Sequence, residues 1–170
     1  MSSFRILVLA AAVATIAACG FQPLYGSRVA GSSPAEFAQI KIEPIPDRIG
    51  QQLHNHLLTI LNPDGRPEKA RYVMKTRVTE SLSSLGVRKT AFATRANLQM
   101  RAVYNLISAA TGKNVFSGDS TITVSYNILD SEFATLMAEK DARERAVREL
   151  SEDIRIRLGV FFSNPAAQGK

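Results

Sequence analysis

Between Tyr72 and Tyr126 apolar residues recur at every second position in three separate stretches, which restricts the chain to folds built on a sheet buried on one side only. In the first stretch Tyr72, Met74, Thr76 and Val78 point one way, while Arg71, Lys75 and Arg77 point the other. Leu98, Met100, Ala102, Tyr104 and Leu106 repeat the pattern, with Arg95, Gln99 and Arg101 opposite. Phe116, Ile122, Val124 and Tyr126 mark a third strand after the turn at Thr111-Gly112-Lys113-Asn114. A shorter alternation around Ile40 and Ile42, closed by Pro44 and Pro46, adds a fourth. Four strands with one apolar face need a cover.

Two helical patterns supply it. Ile49, Leu53, Leu57, Ile60 and Leu61 fall on one face of a helix that Asp47 can cap and that Asn62-Pro63-Asp64-Gly65 stops. A longer helix is predicted from Asp130 or Ser131 to about Leu158, with Ala134, Ala138, Ala142, Ala146, Leu150, Ile154 and Leu158 recurring every four residues. Four residues overshoot a turn by about 40°, so this stripe winds slowly around the axis and the helix should lie slantwise on its sheet. The expected fold is α+β, a two-layer sandwich of an about four-stranded sheet with two helices packed on one face. It should occupy residues 36–160 as a single domain, followed by a C-terminal tail over 161–170.

The N-terminus points to export. Arg5 and an apolar run from Ile6 lead to Ile16-Ala17-Ala18-Cys19, the pattern of a bacterial lipoprotein signal with small residues before a thiol to be acylated. Ile6 to Ala18 is shorter than the roughly 20 apolar residues of an ordinary transmembrane helix. Residues 1–18 therefore read as a cleaved signal, and 19–35, with the Ser- and Gly-containing stretch after Gly26, as a lipidated N-terminus and flexible spacer. Cys19 is the only cysteine, which removes disulfides and thiol catalysis together. Gly20, where an Asp commonly marks retention at the inner membrane, points to the periplasmic side of the outer membrane, with a lipid anchor.

After removal of the signal, 20 basic side chains face 15 acidic ones, a net charge of +5. The last helix contributes none of it. Lys140, Arg143, Arg145, Arg148, Arg155 and Arg157 are balanced by Glu139, Asp141, Glu144, Glu149, Glu152 and Asp153, a solvated and self-paired face. The excess lies between Lys69 and Lys113, where nine basic residues meet one acidic residue, Glu80. Alternation places Arg71, Lys75, Arg77, Arg95 and Arg101 together on the face away from the helices, with Arg88 and Lys89 near the turn between strands. Such residues either keep an open sheet face soluble and unpaired or bind a polyanion. An exported chain without aromatic residues interleaved among the basic ones does not suit nucleic acid. Lipopolysaccharide, the abundant polyanion of an outer membrane, offers phosphates and acidic sugars that suit Arg and Lys.

An enzyme would need a nucleophile with its base, a carboxylate pair or a metal site, and only His54 and His56 invite the thought. Two residues apart on a helix they diverge by about 200° and cannot share a metal. No Gly-rich phosphate loop or Ser-centred elbow is present, so neither catalysis nor a cofactor or metal is expected.

The opening Cys19-Gly20-Phe21-Gln22-Pro23-Leu24-Tyr25-Gly26, the order strand, helix, three strands and long helix, and the segment Ala138-Glu139-Lys140-Asp141-Ala142 resemble the LptE family of lipopolysaccharide-assembly lipoproteins, in its alphaproteobacterial branch. The resemblance implies a non-enzymatic plug and assembly partner for the large, LptD-like outer-membrane β-barrel that inserts lipopolysaccharide. It also implies glycolipid binding through basic residues after the second strand and near the start of the last helix, here Arg88 with Lys89, and Lys140. The turn region here is longer and more basic than in the enterobacterial branch, and the long C-terminal tail of that branch is missing. The alternative is a lipoprotein adaptor of another envelope complex, for secretion or the cell wall, without affinity for lipopolysaccharide.

Overall fold

The computed structural model describes residues 34–87 and 93–164. The one-turn helix α1 (Pro34–Phe37) leads into β1 (Ile40–Ile42), helix α2 (Asp47–Leu61), three long strands β2 (Tyr72–Val87), β3 (Ala93–Ser108) and β4 (Asn114–Asn127), and helix α3 (Glu132–Ser163). The sheet order is β1-β2-β3-β4, with β1 parallel to β2 and the two remaining pairs antiparallel. A parallel neighbour needs a crossover, and α2 provides it. The expected α+β architecture of a four-stranded sheet and two covering helices is what the chain adopts.

Register explains the core. Met74, Leu106 and Phe116 lie in one row across β2, β3 and β4, and Leu82, Leu98 and Val124 in another, so every even-numbered residue of these rows faces the helices. Leu98, Met100, Ala102, Tyr104 and Leu106 are fully buried on β3, the central strand. On the helix side α2, over β1 and β2 and beside α3, buries Leu53, Leu57 and Leu61, and α3, over β3 and β4, buries Ala142, Ala146, Leu150, Ile154 and Leu158. α3, at about 1.5 Å per residue over 32 residues, spans about 48 Å, close to the length of the 16-residue β3. Its four-residue stripe begins only part-buried at Ala134 and Ala138 and becomes fully buried from Ala142 onward.

Two local expectations change, and the choice between Asp130 and Ser131 as the start of the last helix is resolved. Asp47 is the first residue of α2 and makes no side-chain cap hydrogen bond; the N-cap position is Pro46, and Asp47 takes a left-handed φ of 67° that Asp tolerates better than most residues. α3 is capped by Ser131, whose hydroxyl accepts from the Ala134 N–H at 3.4 Å. It does not stop near Leu158. The next member of its stripe, Phe162, is 2% exposed and packs against Phe37 and Tyr72, while Phe161 stacks on Phe116 of β4 at 4.9 Å. Two aromatic anchors keep the helix on the sheet for another turn.

Gly118 on β4 shows how tightly the sheet packs. A Cβ there would meet the Tyr104 ring at 2.6–2.7 Å. Gly118→Ala should therefore cost about 2 kcal/mol through overpacking, with a lowered urea midpoint at unchanged slope; unaltered stability would show that the ring can move aside.

Candidate functional site

The open face of the sheet is formed by the odd-numbered residues of β2, β3 and β4. Lys75 lies in the row with Asn105 and Ser117, Arg77 with Val103 and Asp119, and Thr79 with Arg101 and Thr121. Lys75, Arg77 and Arg101 are thus neighbours at one end, as the alternation predicted. Two of them have acidic partners: Arg101 donates to Asp119 at 3.2 Å, and Lys75 stands 3.9 Å from Glu43. These are exposed pairs that reduce local charge without adding much stability. Arg77, by contrast, is exposed with no carboxylate opposite it on β3.

The predicted five-residue patch is divided. Arg95 sits six residues from Arg101 along β3, about 20 Å away, and pairs in register with Asn127. Arg71 lies one residue before the first register pair of β2, with its N–H on the Gln39 carbonyl and its carbonyl on the Ala109 N–H, and its guanidinium is 5.5 Å from the Tyr72 ring. Arg88 and Lys89 lie outside the described residues, as does Cys19 with the signal and spacer. Lys140 is on α3, on the other layer, 4.0 Å from Glu144 one turn on.

Between the Lys75–Arg77–Arg101 end and Arg95 the open face carries Thr79, Ser81 and Ser83 on β2, Asn97 and Gln99 on β3, and Thr121, Thr123 and Ser125 on β4. Ser125 donates to the Asn97 side-chain oxygen at 2.7 Å across the strands. This is a hydroxyl- and amide-bearing surface, hydrophilic without charge. His54, 8% exposed, donates from Nδ1 to the Glu43 carbonyl at 3.1 Å, and His56 is exposed. Among the described residues no cluster of three or more His, Cys, Asp or Glu side chains is placed to hold a metal.

Two features escaped the sequence pattern. Arg143, assigned to a self-paired helix face, instead forks across the layers: Nε and Nη2 donate to the Glu80 carboxylate at 3.0–3.1 Å, and Nη2 also donates to Glu139. The Glu80 hydrogen bond is the main cause that raises the Arg143 pKa above its ordinary value, despite partial burial. Glu80 is even-numbered on β2, so its position already implied the helix side. The second feature is apolar. Phe133, Leu136 and Met137, on the first two turns of α3, are 72%, 59% and 44% exposed, and their spacing puts them on one flank with Lys140. A four-residue stripe passes over them.

The family model for lipopolysaccharide assembly, LptE, matches residues 37–158, which is nearly the whole of the described domain. The chain belongs to the LptE family. It is similar, at 24% identity and a TM-score of 0.61, to the crystal structure of a putative lipoprotein from Caulobacter crescentus, covering 77% of this chain and 96% of that one. A solution structure of an uncharacterized lipoprotein B from Nitrosomonas europaea gives 16% identity and a TM-score of 0.56, over 73% of this chain and 83% of that one. An uncharacterized protein of Rickettsia prowazekii is 22% identical over 147 residues, 86% of this chain and 90% of its own length. The structural likenesses establish the fold, and the family match establishes this chain as a member of a lipopolysaccharide-assembly family.

Proposed function

We propose that this LptE-family protein is a lipid-anchored, non-enzymatic component of the outer membrane that plugs and helps assemble a large, LptD-like lipopolysaccharide-inserting β-barrel, and that it binds lipopolysaccharide. The observation that carries the reading is the family match across residues 37–158. Anchoring rests on the acylation pattern at Cys19, and two acyl-chain signals suffice for stable attachment. A hydrophilic, largely uncharged sheet face suits the water-lined wall of a barrel, where polar residues alternate inward.

For the glycolipid two surfaces offer matching chemistry. Arg77 and Arg95 stand on the open face among hydroxyls and amides that suit sugars. Lys140, adjoining Phe133, Leu136 and Met137, sets a cation beside an apolar surface, which suits phosphates attached to acyl chains. Arg88 and Lys89 remain candidates by family resemblance.

Gentle solubilisation of outer membranes and affinity purification of the acylated protein should recover a stoichiometric large β-barrel; a secretion or cell-wall component in its place would replace the plug reading with the adaptor one. For glycolipid binding, Arg77→Glu with Arg95→Glu should weaken lipopolysaccharide affinity about tenfold or more at low salt, and less at high salt. Titration with purified lipopolysaccharide at two ionic strengths measures this, and unchanged affinity at both would remove the open face from the binding site.

A further inference from the structure

We propose that the outer edge of β4, chiefly Ser120–Asn127, is a strand-addition site that takes an extended segment of the barrel partner; this rests on the plug reading above.

The two edges of the sheet are treated differently. β1 closes one side with only three residues, ends before Pro44, and presents exposed Lys41. These are the usual devices that keep an edge from pairing. β4 closes the other side with 14 residues, Asn114–Asn127, that contain one charged residue, Asp119, and no proline. Its single register shift lies near the start, opposite Leu106 and Ile107, so the second half runs straight. Ser120–Asn127, Ser-Thr-Ile-Thr-Val-Ser-Tyr-Asn, has no charge and is rich in β-branched residues.

Hydrogen-bond parity fixes which groups the edge presents. The Ala109 N–H donates to the Arg71 carbonyl, so odd-numbered residues of β3 bond to β2 and even-numbered ones to β4. Even-numbered residues of β4 therefore spend their backbone groups on β3. Thr121, Thr123, Ser125 and Asn127 turn theirs outward. On the helix side the same edge leaves Ile122 and Tyr126 only part-buried, so an added strand would cover an apolar flank there and meet Thr121, Thr123 and Ser125 on the open side. The complementary segment is an amphipathic strand.

A second copy of this chain fits the edge poorly. α3 lies over β4 and β3, with Phe161 on Phe116. Pairing β4 with its own twin would bring two α3 axes to about 5–10 Å, at or below the 8–10 Å that packed helices need. An extended segment with no helix above it meets no such obstacle, and a β-barrel protein is a source of such segments.

The test is photo-crosslinking in cells of the full acylated protein, with the probe at Thr123 or Ser125 and, for comparison, at Arg148 on α3, followed by mass identification. Crosslinking to the barrel at β4, reduced about tenfold by Thr123→Pro in a protein whose far-UV spectrum and melting are preserved, supports the site; the proline removes an outward donor and leaves the β3 ladder intact. Thr123→Lys, which adds a charge without touching the backbone, should act likewise and covers the case in which the proline variant misfolds. A barrel adduct formed from Arg148 but never from β4 overturns the edge proposal alone. Adducts of twice the chain mass assign the edge to a second copy and overturn it too. Absence of the barrel from every position overturns the plug reading itself.

Discussion

Replacing Phe162 by alanine is expected to remove about 3–5 kcal/mol of stability, a large share of what a domain of this size possesses. Phe162 is 2% exposed and is touched from three directions: by Phe37 edge-on at 6.0 Å, by Tyr72 at 5.4 Å and by Phe161 at 5.1 Å. The three partners come from α1, β2 and α3, so the cavity left by truncation would be walled by separate elements that cannot collapse together. α1 is one turn long, and Phe37 holds it both by its buried ring and by its carbonyl, which accepts from the Asn62 side chain at 3.1 Å. The loss should show as a lowered urea midpoint at unchanged slope, with easier proteolysis ahead of β1. A cost below about 1 kcal/mol would mean that the aromatic cluster is peripheral and that α3 effectively ends near Leu158.

Phe162 also shows how far the residues alone could reach. The strands were legible because one face is buried and the other wet, so period two survives in the residues of β2, β3 and β4. The end of α3 was less so. Its stripe advances by four residues and Phe162 is the next member after Leu158, yet Phe161-Phe162 followed by Ser, Asn and Pro reads locally as a tail. Tertiary contacts with Phe37 and Tyr72, distant in sequence, decide the matter. The cationic face was legible as a sum of charges and less so as a site. Glu43 and Asp119 lie outside the span from Lys69 to Lys113 that carries the excess charge, on β1's exit and on β4, and register alone brings them to Lys75 and Arg101. Arg71 shares the parity of Lys75 and continues the ladder through Ala109, yet its guanidinium lies 5.5 Å from the Tyr72 ring, a contact that parity alone does not predict.

Arg143→Ala should cost about 3 kcal/mol, more than any exposed ion pair would predict. Arg143 is 28% exposed and Glu80 and Glu139 are each 22% exposed, so water screens the group only in part. Without the guanidinium, two carboxylates that converge on it from β2 and α3 are left facing each other at the layer boundary. The cost is then mostly repulsion and desolvation of what remains. That makes a double-mutant cycle informative: Arg143→Ala combined with Glu80→Gln should recover about half of the loss, whereas Glu80→Gln alone should cost only about 1 kcal/mol because Arg143 keeps Glu139. Additive single costs would show instead that the fork is an ordinary surface contact. The consequence reaches the proposed surfaces, since Arg143 ties α3 to β2 next to Ala142, the point at which the stripe first becomes fully buried. Loosening it should free the first turns of the helix, with Phe133, Leu136, Met137 and Lys140, while Leu150 to Phe162 stay docked. Hydrogen exchange in the variant should therefore quicken over residues 132–145 and change little over 150–162; uniform acceleration would mean that α3 detaches as one body.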